Sequence, residues 1–166
     1  MRNYKDKILP KDQMLLERAH LRAEGKTVAF TNGCFDILHC GHISYLNTAR
    51  KQGDVLILGM NSDASVKRNK GDDRPINNEQ DRAEVLAALE CIDYVVLFDE
   101  DEPADLIGDL LPDVLVKGED WAHYVSGREA VEAAGGKVVL AKMVEGRSTT
   151  GTIGKVLKVY GEKDEH

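Results

Sequence analysis

No apolar run in this 166-residue sequence approaches the roughly 18 to 20 residues of a membrane-spanning helix. The opening stretch MRNYKDKILPKDQ also lacks the apolar core of a signal peptide, so a cytoplasmic protein with no membrane partner is expected. Positive charge is in short supply: 22 Lys and Arg stand against 29 Asp and Glu, a net charge of -7. That balance speaks against a general nucleic-acid or membrane-surface binder, and any anionic ligand must be met by positive groups gathered locally. The three cysteines, Cys34, Cys40 and Cys91, are an odd number in a chain without a secretion signal, which excludes a disulfide framework and leaves them as thiols. Internal repeats are missing. So are low-complexity segments, apart from the charged tail GEKDEH at 161–166, which is expected to fray.

What is present is alternation. Short β-branched runs recur as TVAFT at 27–31, DVLILGMN at 54–61, YVVLF at 94–98, DVLVK at 113–117 and KVVLA at 137–141. They are apolar almost throughout, as strands covered on both faces should be. Between them, helical periodicity predicts helices at 12–24, 41–52, 78–91, 102–111, 126–135 and 148–160. Strands alternating with helices in a chain of this length predict a single domain over 1–166, a Rossmann-like three-layer α/β sandwich with a five-stranded parallel sheet. Residues 1–25 form a helical extension ahead of the first strand, with Gly25 as its stop. Its apolar stripe fits a contact in a homodimer or burial on its own sheet. The stretch KRNKGDDRPINNEQ at 67–80 reads as a polar surface loop at the edge where such sheets carry function.

The densest stretch is TNGCFDILHCGHISYL at 31–46, which leads from the first strand into the following helix. Gly41 and His42 therefore fall at a helix N-terminus, where free N–H groups and the positive end of the macrodipole attract phosphate. Gly33 and Gly41 let backbone approach a ligand where a Cβ would obstruct it. A lone histidine is most often a satisfied imidazole. Two histidines flanking a glycine at such a turn, His39 and His42, point to a site. A zinc site from Cys34, His39, Cys40 and His42 is the rival, but structural zinc ligands usually come as two separated pairs and no second pair exists in the sequence.

The run NGCFDILHCGHISYL resembles the H-x-G-H signature of the small nucleotidyltransferases, the superfamily that includes glycerol-phosphate cytidylyltransferases and class I aminoacyl-tRNA synthetases. It is followed, in order, by GDVLILGMNSDASVKRNKGDDRPINNEQDR, by LPDVLVKGEDW and by VEGRSTTGTI, so the resemblance spans residues 27–158. Within that superfamily the sequence is most similar to the adenylyltransferases that make ADP-heptose, found alone or as the C-terminal half of a bifunctional heptose kinase and adenylyltransferase. Runs like VNSDAS, KGDSRPVN, LVKGGDY and STT occupy these places there.

The resemblance implies transfer of AMP from ATP to D-glycero-D-manno-heptose 1-phosphate, with magnesium accompanying the ATP and no metal ligands from the protein. It implies catalytic roles for His39, His42 and Lys70. Nucleotide binding would fall to Asn32, Gly33, Cys34, Phe35, Gly41, Asn61, Gly118, Asp120, Glu145, Ser148, Thr149 and Thr150, and the sugar phosphate to Lys67, Arg74, Arg82 and Lys117. Asp36 is open between an outer-shell magnesium partner and a turn cap. Trp121 is open between covering a base or sugar and packing on a neighbouring helix. Because no kinase domain precedes the motif, the kinase and phosphatase steps are expected on separate proteins.

Two departures bear on specificity. Glycerol-phosphate cytidylyltransferases read Arg-Thr where this chain has Met143 and Val144, which favours ATP over CTP, and Lys117 with Gly118 matches the heptose pattern. Against that, GEDW is closer to the glycerol-type GDDW. A cytidylyltransferase acting on glycerol 3-phosphate is the enzyme alternative, and a non-catalytic nucleotide-binding regulator is the alternative of another class.

Overall fold

A computed structural model describes residues 2–161. Five strands, Val28–Gly33 (β1), Val55–Asn61 (β2), Tyr94–Phe98 (β3), Val114–Gly118 (β4) and Lys137–Ala141 (β5), pair in parallel in the order β3-β2-β1-β4-β5. The expected five-stranded parallel sheet is there. The first helix, Lys11–Ala23 (α1), precedes β1, and Cys40–Arg50 (α2) follows it. Asp63–Lys70 (α3) and Glu79–Ala87 (α4) lie between β2 and β3, Ala104–Leu110 (α5) between β3 and β4, Arg128–Ala133 (α6) between β4 and β5, and Thr149–Tyr160 (α7) comes last. Among the described residues, no helix is long and apolar enough to cross a membrane.

Both faces of the sheet are covered, giving two cores. One joins Leu56, Leu58 and Met60 of β2 to Leu46 and Ala49 of α2 and to Ala83 and Leu86 of α4. The other joins Phe30 and Ile57 to Met14 and Leu21 of α1, to Leu106 and Ile107 of α5, and to Val131 of α6. The continuous apolar character of the strands is thereby accounted for.

The register of the sheet is pinned by three aspartates, each standing just before a strand. Asp54 accepts from the Thr27 N–H, Asp93 from Leu56 N–H and Asp113 from Val28 N–H, each at 2.8 Å. Each carboxylate thus occupies an N–H where a neighbouring strand begins, and a slip by one residue would break all three bonds.

Three expectations are corrected. The segment 67–80 is not wholly loop: Lys67 and Lys70 belong to α3, whose N-cap Ser62 accepts from Ser65 N–H at 3.1 Å. This helix buries Ser65 and Val66 and little else, so it carries no apolar stripe to betray it. The first strand runs on through Asn32 and Gly33 rather than ending at Thr31. The helix expected over 126–135 is only Arg128–Ala133, bracketed by Gly127 and Gly135, whose φ values of 83° and 88° lie in the left-handed region. The charged tail from 162 onward lies outside the described residues.

The N-terminal segment is built into the fold. Ile8 bridges to Val95 in parallel and so covers the outer edge of β3. Met14 is fully buried, so the stripe of α1 is spent on its own sheet. Arg18, 3% exposed, donates from Nε to the Leu110 carbonyl at 3.1 Å and from Nη2 to the Leu111 carbonyl at 2.9 Å and to Asp113 at 3.2 Å. It answers carbonyls left open where α5 ends. Arg18→Ala is expected to lower the unfolding free energy by about 2–4 kcal/mol, because buried carbonyls lose charged donors. Urea denaturation measures it, and a change below about 0.5 kcal/mol would show α1 to be a detachable addition.

Candidate active site

The carboxyl ends of β1, β2 and β4 open into one cleft of about 730 Å³. It lies where the strand order reverses, β1 being flanked by β2 on one side and β4 on the other. Asn32, Gly33, Asn61, Lys117 and Gly118 line it from the strand ends, Cys34, Phe35 and His39 from the turn after β1, and His42 and Tyr45 from α2. Lys70 and Arg74 reach it from the segment after β2, Asp120 and Trp121 from beyond β4, and Ser148, Thr149 and Thr150 from the start of α7.

The two histidines form a stacked pair, ring centroids 3.9 Å apart with 22° between planes. His39 is the N-cap residue of α2, and its backbone N–H donates to His42 Nδ1 at 3.4 Å. An Nδ1 that accepts leaves the His42 proton on Nε2. Burial, reinforced by the neighbouring His39 ring, pushes the His42 pKa down to about 4, so this ring is neutral near pH 7. Phe35 packs edge-on against it, centroids 5.3 Å apart. A Cβ at Gly41 would stand 2.9 Å from His39 Nδ1, so glycine there makes room for the His39 ring. The His39 side chain turns back onto the start of α2 toward the His42 N–H, reciprocating the bond from the His39 N–H to His42 Nδ1, whereas Asn32 Oδ1 is buried with no hydrogen-bond partner among the described residues, a polar atom left for a ligand.

Two buried charged groups hold the loops that surround this pair. Asp36, 4% exposed, accepts from Arg74 Nε, Ile76 N–H and Asn77 N–H, each at 2.8 Å. Burial alone would raise its pKa, but the Asn77 and Ile76 amides and the Arg74 guanidinium outweigh it and hold the carboxyl below its ordinary range. Asp36 therefore clamps the 74–77 loop, which decides between its two readings in favour of structure. Arg82, 2% exposed, donates to the carbonyls of Asn77 at 3.0 Å, Cys34 at 2.8 Å and Asn61 at 2.9 Å, and to Asp63 at 2.8 Å.

That last set corrects the expectation that Arg82 binds substrate: its guanidinium is enclosed and committed to the frame of the site. Lys67 is also misplaced by the sequence reading, since its position on α3 leaves it exposed and outside the cleft lining. Glu145 is exposed and does not line the cleft, and Gly41 backs His39 without lining it. Trp121 is exposed, with Lys117 Nζ 5.4 Å from the centre of its ring, so it faces the cleft and is not packed away.

Other lining residues were missed. Tyr45 lies one helical turn after His42 on the same face, a spacing that could have revealed it. Its hydroxyl donates to the Val116 carbonyl at 3.1 Å and shares a 2.6 Å bond with Thr31, and burial pushes its pKa up to about 12. Arg147 lines the cleft beside the α7 N-cap, with its Cβ 3.3 Å from where a Cβ on Gly41 would sit. Ser148 accepts from Gly151 N–H at 2.9 Å, and Thr149 Oγ1 donates to the Ile37 carbonyl at 3.0 Å, tying the start of α7 to the turn before α2.

Residues 30–158 match the family described as cytidylyltransferase-like. Among curated proteins, the chain is 59% identical over 143 residues to the bifunctional protein HldE of Geobacter sulfurreducens, covering 86% of this chain and 29% of that one. The bifunctional protein HldE of Mesorhizobium japonicum is 56% identical over 154 residues, 92% of this chain and 31% of that one. The chain thus spans less than a third of the length of these relatives. Among solved structures, the lipopolysaccharide core biosynthesis protein from Thermoplasma volcanium GSS1 superposes with a TM-score of 0.59 at 29% identity, covering 72% of this chain and 98% of that one. Pantoate-beta-alanine ligase from Francisella tularensis, at 18% identity and a TM-score of 0.60, shares the fold over 86% of this chain and 68% of that one.

The depressed His42 pKa has a consequence for stability. The unfolded chain takes up the histidine proton near pH 6.5 and the folded chain only near pH 4, so the His42 contribution is level above about 6.5 and is lost as pH falls through that window. His42→Gln is expected to remove this loss, so that its urea midpoint falls less than that of the parent between pH 7 and pH 4.5. Equal slopes in the two proteins would mean that His42 takes its proton as readily folded as unfolded.

Proposed function

This chain belongs to the cytidylyltransferase-like family of nucleotidyltransferases, and from that premise we propose that it transfers AMP from ATP to D-glycero-D-manno-heptose 1-phosphate. Pyrophosphate leaves, and ADP-heptose forms for the lipopolysaccharide core. The observation that carries the reading is the stacked His39 and His42 pair at the N-terminus of α2, His42 being neutral, in one cleft with the Ser148 cap of α7.

In the reaction, an oxygen of the sugar 1-phosphate forms a bond to the α-phosphorus of ATP as the bond from that phosphorus to the bridging oxygen of the β-phosphate breaks. A phosphate dianion is already a nucleophile near neutral pH, its second proton being lost near pH 6. The protein therefore supplies position and charge neutralisation rather than a nucleophile of its own. His42 Nε2–H is the donor for the oxygen on which charge grows as pyrophosphate departs. The free N–H groups at the start of α7, with Arg147 beside them, suit the phosphates of the nucleotide.

Lys70 and Arg74 line the cleft from the other flank and oppose the charge of the acceptor phosphate. The Met143 side chain lies over Gly118, its sulfur 2.9 Å from where a Cβ would stand, and offers a purine an apolar, polarizable surface. Magnesium would enter as part of the nucleotide substrate, and Asp36, committed to its loop, is not offered to it. Phosphate oxygens and water are its natural ligands.

Pyrophosphate release with magnesium, crossing ATP and CTP against both anomers of the heptose 1-phosphate and glycerol 3-phosphate, tests the reading. Release is expected with ATP and one heptose anomer. Release only with CTP and glycerol 3-phosphate would replace the proposal with the cytidylyl alternative, and tight ATP binding without release from any pair would point to a regulator. In the active pair, His42→Ala should lower kcat by a factor on the order of 10² to 10³, as for the loss of a transition-state donor. Lys70→Ala should lower kcat/KM for the acceptor, and unchanged kinetics would leave that lysine a solvated helix end.

A further inference from the structure

The two cores divide the cleft into two walls. His39, His42 and Phe35 stand on the side of α2 and α4, whereas the segment between β4 and α6 packs with α5 on the opposite face through Val125. On that opposite wall lies Ser126, 6% exposed, lining the cleft with a hydroxyl that has no hydrogen-bond partner among the described residues. Its position is fixed from both sides: Val125 is in the core, and Gly127, at φ 83°, lies so close to α5 that a Cβ would stand 2.6 Å from Ile107 Cγ2. A buried hydroxyl held so firmly with no well-formed hydrogen bond, and only the Tyr124 phenol near it, is costly in a finished core and is best explained by a partner that arrives with the ligand.

The surroundings identify the chemistry of that partner. Tyr124 donates its hydroxyl to Glu102 at 2.7 Å, and both line the cleft beside Ser126. The Glu102 carboxylate raises the Tyr124 phenol above its ordinary value while the nearby Ser126 hydroxyl pulls the other way without meeting the geometry of a hydrogen bond, so the three groups share one corner. Burial lowers the pKa of Lys117, with Asp120, Cys34 and Glu102 opposing it, which places a cation at the inner border of the same corner. A hydroxyl, a phenol and a carboxylate together accept and donate as a polyol requires, whereas a phosphate would meet the Glu102 charge. We propose that Ser126, Tyr124 and Glu102 form the pocket for the hydroxylated body of the acceptor, with Ser126 as a specificity residue that bonds one sugar hydroxyl. This rests on the sugar-phosphate adenylyltransferase reading above.

The test is steady-state pyrophosphate release by the full chain with ATP and heptose 1-phosphate, comparing the parent, Ser126→Ala and Glu102→Gln, with thermal midpoints as a check on folding. Ser126→Ala is expected to raise the acceptor KM about 3- to 10-fold, as for the loss of one neutral hydrogen bond, and to leave the ATP KM unchanged. A set of singly deoxygenated heptose 1-phosphates supplies the readout that a merely structural role would not move. One of them should cost the parent the same factor, and Ser126→Ala should not discriminate against it. If the parent turns over and Ser126→Ala keeps the same acceptor KM, or keeps the parent's discrimination among the deoxygenated substrates, the pocket is wrong and the adenylyltransferase reading stands. If the parent releases no pyrophosphate with any sugar 1-phosphate, both fall together.

Discussion

The architecture of the cleft depends on one buried cation. The Arg82 guanidinium joins the carbonyl of Cys34 just after β1, the carbonyl of Asn61 at the end of β2, the carbonyl of Asn77 ahead of α4, and the carboxylate of Asp63 at the start of α3. Strand ends are where a parallel sheet runs out of partners, and their last carbonyls need donors if they are to stay buried. A planar fork of donors can serve several at once, which a lysine ammonium on a flexible stem cannot do with the same geometry. Asp36 does the complementary work with a negative charge, gathering the Arg74 guanidinium and the Ile76 and Asn77 amides. Between them the two residues fix the mouth of the cleft, and of the cations that line it Arg74 is already engaged through its Nε.

An acidic chain still needs local positive potential to gather phosphates, and it has two means of making it. One is side-chain charge at Lys70, Arg74, Lys117 and Arg147, all lining the cleft. The other is backbone: α2 and α7 both begin there, and the bond from Thr149 Oγ1 to the Ile37 carbonyl holds their N-termini together. His42 adds no charge: burial keeps its ring neutral, and a neutral donor bonds a phosphate oxygen without the desolvation cost of a buried cation.

Much of this was legible in the sequence, and the boundary of legibility has physical reasons. The strands were readable because residues such as Leu56, Ile57 and Leu58 are apolar on both faces, and the phosphate turn because the glycines and histidines of TNGCFDILHCGHISYL have few other uses in such a pattern. Helix α3 was not readable, since it sits on the surface and carries no stripe. Arg82 reads as a substrate ligand because a sequence shows that a cation is near a site but not whether its donors are already engaged. Ser126 was invisible for the opposite reason: a lone serine carries no pattern, and only its burial without a partner sets it apart. Tyr45 falls between these cases, announced by its spacing from His42 yet easily read as core.

The division of the cleft between two cores bears on how its specificity is organised. The wall that would handle the nucleotide, α2 with the start of α7, is rigid because Gly41 and Gly33 admit only tightly placed neighbours: a Cβ at Gly33 would come within 2.8 Å of Phe35. Changes there would disturb the histidine pair and hence the chemistry. The opposite wall is a short excursion between β4 and α6 anchored at Val125 and Gly127, and Trp121, His123 and Tyr124 within it are exposed. Side chains on that excursion can change while the anchors keep its path, and no residue of the phosphate turn has to move. On the proposed assignment, acceptor recognition sits on a segment whose variation leaves the transfer machinery intact. The placement follows from the strand order itself: β1 and β4 lie side by side, so the connections that leave them meet over one cleft from opposite faces of the sheet.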